Sequence, residues 1–382
     1  MTSQLVNEVK TFFLDTFKVK PLLVFSPGRI NIIGEHTDYN EGFVFPAAVN
    51  KGIVAAVQKT KNKTTNIFAL DLESSIDVDI TTIQPAKKGS WENYVLGIVA
   101  EIKKRGKKVE NFNLVFKGNI PSGAGISSSA AIENAVVFAL NELFNFNFTK
   151  EEMILISQKA EHNYVGVNCG IMDQYSSMFG IEDHALLLDC RTITSKAYKI
   201  DFKSYQFILV NTNVKHSLSD SAYNERRATC EAVSKLLSVK ALRDVTIDQL
   251  ESVKNKIHKE NYEKALYVIK EIERTKQARL AIEDNDLGTL GNLLFQSHEG
   301  LSKRYKVSCN ELDFLVEFAK ANPYILGARM MGGGFGGCTI NLIAKDEVKN
   351  FTKKVSKAYL EVFGKSCFVY NIKLSQGTHL IE

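Results

Sequence analysis

The sequence predicts an α+β protein built as two lobes with a cleft between them. Strand-like and helix-like segments are mixed over the first ~200 residues. The stretch 219–320 then reads as mostly helical, and the chain closes on two strand-like segments, 337–344 and 367–372, separated by a helix over 346–363. A boundary near residue 200 therefore divides the chain into an N-terminal domain, 1–200, and a C-terminal domain, 201–382.

Taken in order, strands are expected at 22–25, 52–58, 67–70, 112–116, 185–188 and 207–211, from their β-branched and aromatic content. A helix over 91–102 precedes the basic run Lys103-Lys104-Arg105-Gly106-Lys107-Lys108, which reads as a solvated connection. Helices follow at 127–144 and 149–165. The second has a well-signalled start: Thr149 and Glu152 form a capping box, and Phe148 can staple onto Met153. Ser308 and Glu311 predict a further capping box, opening a helix over 309–320.

Composition narrows the function. The chain is 45% hydrophobic and 24% charged, with ample core, and its net charge of +5 is well mixed, too weak to argue for nucleic acid. Apolar stretches are broken well before ~18 positions, so no membrane span is expected. The six cysteines have no CxxC spacing, which argues against a metal or disulfide framework and for reduced thiols. The N-terminus lacks the basic start and apolar run of a secretory signal, so a cytoplasmic protein is expected.

Four stretches carry chemistry. Residues 27–46 place Arg29, Glu35, His36, Asp38 and Glu41 beside Ile30, Ile32 and Ile33, as a strand does when it leaves a core and presents its polar end to a ligand. Glu, His and Asp together suit a polyhydroxylated molecule, since each bonds hydroxyls. Residues 118–133 place Gly123 and Gly125 ahead of Ser127, Ser128 and Ser129 at the start of a helix. That pattern suits a bulky anion at a helix N-terminus, although a glycine turn before a serine cap would look similar. It is not a Walker loop: no lysine follows the glycines, and Gly364-Lys365-Ser366 has Tyr359 where the first Walker glycine belongs.

The third stretch, Gly332-Gly-Gly-Phe-Gly-Gly-Cys338, fails as a dinucleotide fingerprint because a strand follows it where that motif needs a helix. Close approach to a ligand or to the other glycine loop explains five glycines, and a sharp turn is the alternative. In the fourth, Asp173 lies among Ile171, Met172 and Tyr175 in a segment expected to be irregular. A part-buried aspartate needs a partner, and Arg29 would suit. Taken singly, Glu161 also reads as a solvated helix-face charge, and His36 and His162 as structural residues.

Together these stretches resemble the galactokinase family of the GHMP kinase superfamily. Residues 28–40 match its sugar-recognition motif, 121–130 its phosphate loop (with Ser122 and Ile126 where leucine is common) and 332–338 its third motif. The resemblance implies an N-terminal lobe like domain 2 of ribosomal protein S5 and a ferredoxin-like C-terminal lobe, with the active site between them. It implies ATP-dependent phosphorylation of the C1 hydroxyl of α-D-galactose, the entry to the Leloir pathway.

Carried over by motif position, Asp173 is the proton acceptor and Arg29 the residue that stabilises the transition state. Glu35, His36, Thr37, Asp38, Gly170, Asp173 and Tyr223 bind the sugar, with Asp38 and Tyr223 placed to read its axial C4 hydroxyl. Gly123, Ala124, Gly125, Ile126, Ser127, Ser128 and Ser129 wrap the triphosphate, and Ser129 and Glu161 hold Mg²⁺. The implied partners are galactose and ATP, with no nucleic acid and no membrane, and the implied state is a monomer.

Overall fold

A computed structural model describes residues 2–121, 123–214 and 219–382; Ser122 lies outside the described residues. In chain order the strands are β1 (Leu22–Asn31), β2 (Phe43–Val44), β3 (Pro46–Lys59), β4 (Thr65–Ala69), β5 (Ser74–Val78), β6 (Phe112–Gly118) and β7 (His184–Asp189). They continue with β8 (Thr194–Lys199), β9 (Tyr205–Asn211), β10 (Ile325–Met330), β11 (Cys338–Ala344), β12 (Phe368–Asn371) and β13 (His379–Leu380).

The first lobe is built on a six-stranded sheet of order β13-β1-β3-β6-β4-β5, antiparallel except for the parallel β4–β6 pair. Alternation along the strands gives it two apolar faces. Val24, Ala55, Val57 and Leu114 face helices Glu92–Lys104, Ser128–Phe144 and Lys150–Ala160. Leu23, Phe25, Val54, Ala56 and Val115 face Leu5, Val9 and Phe13 of helix Thr2–Phe17. The second lobe is an antiparallel sheet of order β10-β11-β9-β12, with helices Asn310–Lys320 and Val348–Phe363 packed on Ile208, Val210 and Ala328. Strand β13 pairs with β1, so the end of the chain rejoins the first lobe.

Strand β1 positions the site. Its register against β3 shifts between Pro27 and Arg29, an irregularity of the kind that re-aims a side chain. Beyond it, Ile30, Ile32 and Ile33 enter a core shared with Ile126, Leu209, Met331 and Ile340, which closes the seam between the lobes.

Several sequence expectations need correction. The capping box at Thr149 and Glu152 is present, but the α-helix it opens ends at Ala160, and Glu161–Val165 forms a π-type turn. No second capping box forms at Ser308. Cys309 is the N-cap, Ser308 Oγ donates to Asp313 Oδ1 at 2.6 Å, and Glu311 Oε1 accepts from Lys365 Nζ at 2.8 Å rather than turning back to the cap. Asp173 lies in the first turn of helix Met172–Phe179 rather than in irregular chain. Strand β10, before the third glycine run, is not among the strands expected; its arginine, its one glycine and its one alanine hide it. The argument against a dinucleotide fold stands, because β11 and not a helix follows the run.

Candidate active site

Arg29 and Asp173 meet. The Arg29 side chain is buried, its Nε donates to Asp173 Oδ1 at 2.7 Å, its Nη2 to Oδ2 at 2.9 Å, and its Nη1 to the Gly125 carbonyl at 2.6 Å. The same guanidinium thus holds the acid bidentately and fixes the glycine-serine loop beside it. Burial works against its charge, but Asp173 and Glu35 outweigh that and raise its pKa. Ser127, in a left-handed conformation at φ 57°, donates its hydroxyl to Asp173 Oδ2 in a short contact.

Two cavities converge on this pair. A cleft of about 650 Å³ is lined by residues 123–129, by 331–337 and by Lys88 and Tyr94. A recess of about 150 Å³ is lined by Glu35, His36, Asp38, Cys169, Gly170 and Met172. Arg29, Glu161, Asp173, Tyr223, Gly332 and Gly333 line both.

Each wall of the recess has its own electrostatics. Burial pushes the Glu35 carboxyl up, yet Arg329 and Arg29 outweigh it, so its pKa lies below the ordinary value. Burial drops His36 to about 4, so its ring is neutral; Nδ1 pairs with Tyr39 Oη at 2.8 Å, and buried Nε2 has no hydrogen-bond partner among the described residues. Asp38 is pushed up to about 7 by burial and then by the charge of Asp173. Gly170 admits this carboxylate: a Cβ there would fall 1.8 Å from Asp38 Oδ2. The Tyr223 ring lies 5.5 Å from His36 and 5.3 Å from Tyr39. Thr37 is not brought to the recess; its hydroxyl lies 2.8 Å from the Gly34 carbonyl and 2.7 Å from that of Phe43, inside the loop.

The larger cleft is lined mostly by glycine-rich backbone. Gly123, Gly125 and Ser127 have positive φ, as do Gly332, Gly334, Phe335, Gly336 and Gly337 in the third run. The two glycine-rich segments approach each other closely: a Cβ on Gly332 would stand 3.3 Å from the Gly125 carbonyl, and one on Gly337 3.3 Å from that of Gly123. The run is also the turn into β11, so close approach and turn describe the same residues.

Glu161 is buried and not a solvated helix-face charge. Burial, then the charge of Asp173, raises it to about 7, while a hydrogen bond from Ser129 works the other way. Gln174 Nε2 donates to Glu161 Oε2 at 2.7 Å and to Glu133 Oε2 at 3.2 Å. Glu133 is fully buried and its Oε1 has no hydrogen-bond partner among the described residues. Among those residues no three His, Cys, Asp or Glu side chains converge as a complete metal site. The donor set nevertheless fits Mg²⁺, which keeps several waters and takes one or two carboxylates plus phosphate oxygens.

Sequence reasoning missed Arg329, Glu133, Gln174 and the tyrosine pair Tyr39 and Tyr305, whose hydroxyls lie 2.7 Å apart behind His36. The available signal was a lone charge in an apolar setting: Arg329 within Ile325–Met330, and Glu133 after an alanine pair.

Comparison with known proteins gives the family. The galactokinase galactose-binding signature matches residues 11–59, the GHMP kinase N-terminal domain 93–181 and the GHMP kinase C-terminal domain 278–361. A galactokinase of Thermotoga maritima is 40% identical over 93% of this chain and 99% of its own length. One from Clostridium tetani is 39% identical over 98% of each. The crystal structure of Lactococcus lactis galactokinase complexed with galactose superposes with a TM-score of 0.94, at 35% identity, over 98% of this chain and 100% of that one. A mevalonate kinase structure, at 18% identity and a TM-score of 0.65, shares the fold.

Proposed function

This chain belongs to the galactokinases of the GHMP kinase superfamily and phosphorylates galactose with ATP, the entry step of the Leloir pathway; we infer that the transfer takes place where its two cavities meet, at the C1 hydroxyl of α-D-galactose. One observation carries the placement: Arg29, Asp173 and Glu161 line both the recess rich in hydroxyl-binding side chains and the cleft rich in backbone N–H groups.

In this reading the recess holds the sugar. Glu35, Asp38, Tyr223, the unpartnered Nε2 of His36 and the backbone of Gly170 take its hydroxyls, and Thr37 shapes the loop that presents them. Asp38 and Tyr223 read the axial C4 hydroxyl, because an epimer would leave buried polar groups unpaired. The phosphates lie along Gly123, Ala124, Gly125, Ile126, Ser127, Ser128 and Ser129, against the N-terminus of helix Ser128–Phe144. Asp173 accepts the C1 proton, and Arg29 holds its carboxyl group from two sides and meets charge on the transferred group. Ser129 and Glu161 hold Mg²⁺, which when bound neutralises phosphate charge.

The two-domain GHMP architecture is read more finely as an S5 domain 2-like lobe over 1–200 and a ferredoxin-like lobe over 201–382. The antiparallel sheet β10-β11-β9-β12 with its packed helices supports the second, and the return of β13 to the first lobe qualifies the boundary. A cytoplasmic monomer acting on small molecules completes the reading. No helix among the described residues is long and apolar enough to cross a membrane.

A coupled assay for ADP release tests the whole. Turnover is expected with galactose and at least 10⁴-fold lower kcat/KM with glucose, as roughly expected for a site that bonds the discriminating hydroxyl. Comparable values for the two sugars would remove Asp38 and Tyr223 from the C4 role.

A further inference from the structure

Arg329 has no exposed surface, at the end of β10 in the second lobe. A buried guanidinium must place five N–H donors, and these go to the sugar loop of the first lobe and to its own strand. Nε donates to the Ile32 carbonyl at 2.7 Å, Nη1 to that of Met330 at 2.6 Å, and Nη2 to that of Asn31 in a short contact. Both Nη atoms also reach Glu35 Oε1 at 3.1 Å, where the Gly332 N–H arrives at 2.8 Å. Three donors thus converge on one oxygen of Glu35.

We propose that Arg329 is a positioning residue for galactose: anchored in the second lobe, it holds the Glu35 carboxylate in one orientation, so that the sugar recess is complete only when both lobes contribute. The inference rests on Glu35 being a sugar ligand. Its physical content is pre-organisation. An unanchored glutamate pays rotamer entropy and desolvation when the sugar arrives, whereas a clamped one has paid both on folding. Gly332 also belongs to the run that lines the nucleotide cleft, so the clamp joins the walls of both cavities. The fork matters as well as the charge, since lysine supplies a cation with no planar pair of donors.

The test is a double-mutant cycle on Arg329→Lys and Glu35→Gln, reading galactose affinity by calorimetry without nucleotide, KM for each substrate, and thermal unfolding. Arg329→Lys is expected to weaken galactose binding about tenfold or more while KM for ATP stays within about threefold. In the Glu35→Gln background the same change should add less than about twofold, because its route to the sugar is gone. Additive losses, an unchanged galactose affinity, or equal losses for both substrates would overturn the proposal. Unchanged galactose affinity in Glu35→Gln alone would instead remove Glu35 as a ligand. Should Arg329→Lys fail to fold, the guanidinium resonances of Arg329 in the wild-type protein decide: they should shift on adding galactose, and silence overturns the clamp.

Discussion

The recess proposed for the sugar and the cleft proposed for the phosphates, here the sugar end and the phosphate end, are made of different materials. At the sugar end, Glu35, His36, Asp38 and Asp173 are side chains in a recess of about 150 Å³, held from behind by Arg29, Arg329 and Tyr39. At the phosphate end, residues 123–129 and 332–337 turn main chain toward a cleft of about 650 Å³. The difference follows from the ligands. Epimers differ by the direction of one hydroxyl, and only fixed polar groups that would be left unpaired can tell them apart. A triphosphate is recognised by charge, which N–H groups and a helix terminus meet without side chains. Substitutions should therefore be steeply selective at one end and shallow at the other.

The largest effect is expected where the ends meet. Asp173→Asn removes the proposed proton acceptor and should lower kcat by roughly 10²–10⁴ or more. It should leave galactose affinity within about tenfold, below ~1.4 kcal/mol, because the amide still fills the site. Steady-state ADP release and galactose calorimetry give the two numbers, and turnover near the wild-type rate would remove Asp173 from the base role.

At the sugar end, Gly170→Ala puts a methyl 1.8 Å from Asp38 Oδ2, a distance no relaxation of a few tenths of an ångström absorbs. Asp38 must leave its place, and KM for galactose should rise about 10²-fold while KM for ATP moves less than about threefold. Equal changes in the two constants would break the contrast between the ends.

Asp38 also carries a pH signature. Its folded pKa is raised from 3.8 to about 7, by burial first and then by Asp173. The folded protein thus holds this proton more tightly than the unfolded chain does, and the associated stability is full below the ordinary value and is lost as pH rises through about 7. Asp38→Asn should therefore gain on the wild type as pH climbs from 4 to 7, then level off. A full shift of that size corresponds to ~4 kcal/mol, and partial exposure reduces the expected gain to about 2 kcal/mol. Denaturant unfolding at a series of pH values measures it, and a gap that stays flat would remove the burial cost assigned to Asp38.

The same contrast explains what the sequence made legible. The first half of the phosphate end is local: Gly123 to Ser129 is one run beside one helix start, and its composition announces it. Residues 35–38 announced themselves by placing acids and a histidine beside isoleucines. The supports behind them did not. Arg329 is 294 positions from Glu35 and Tyr305 266 from Tyr39, and neither helix nor strand periodicity encodes a pairing at such separation. Arg29 and Asp173 are 144 apart and were paired only through the complementarity of a part-buried acid and an arginine. Helix Met172–Phe179 was hidden by the glycines just before it, and its burial against the first lobe, with Tyr175 and Met178 in the core, overrode that local signal.

The smallest effect is expected from the same methyl placed at the other end. Gly125 has φ +67°, and a Cβ there would meet the Met331 carbonyl at 3.3 Å, a tight contact that a small shift relieves. Gly125→Ala keeps the N–H groups and the carbonyl that Arg29 Nη1 holds, so its cost is the left-handed conformation, about 1 kcal/mol. KM for ATP should rise about fivefold, and KM for galactose should stay within about twofold, since the recess is untouched. Side by side, Gly170→Ala and Gly125→Ala apply one methyl to a wall of charged side chains and to a wall of main chain. A galactose KM that rises equally in both would show that the two walls move as one body.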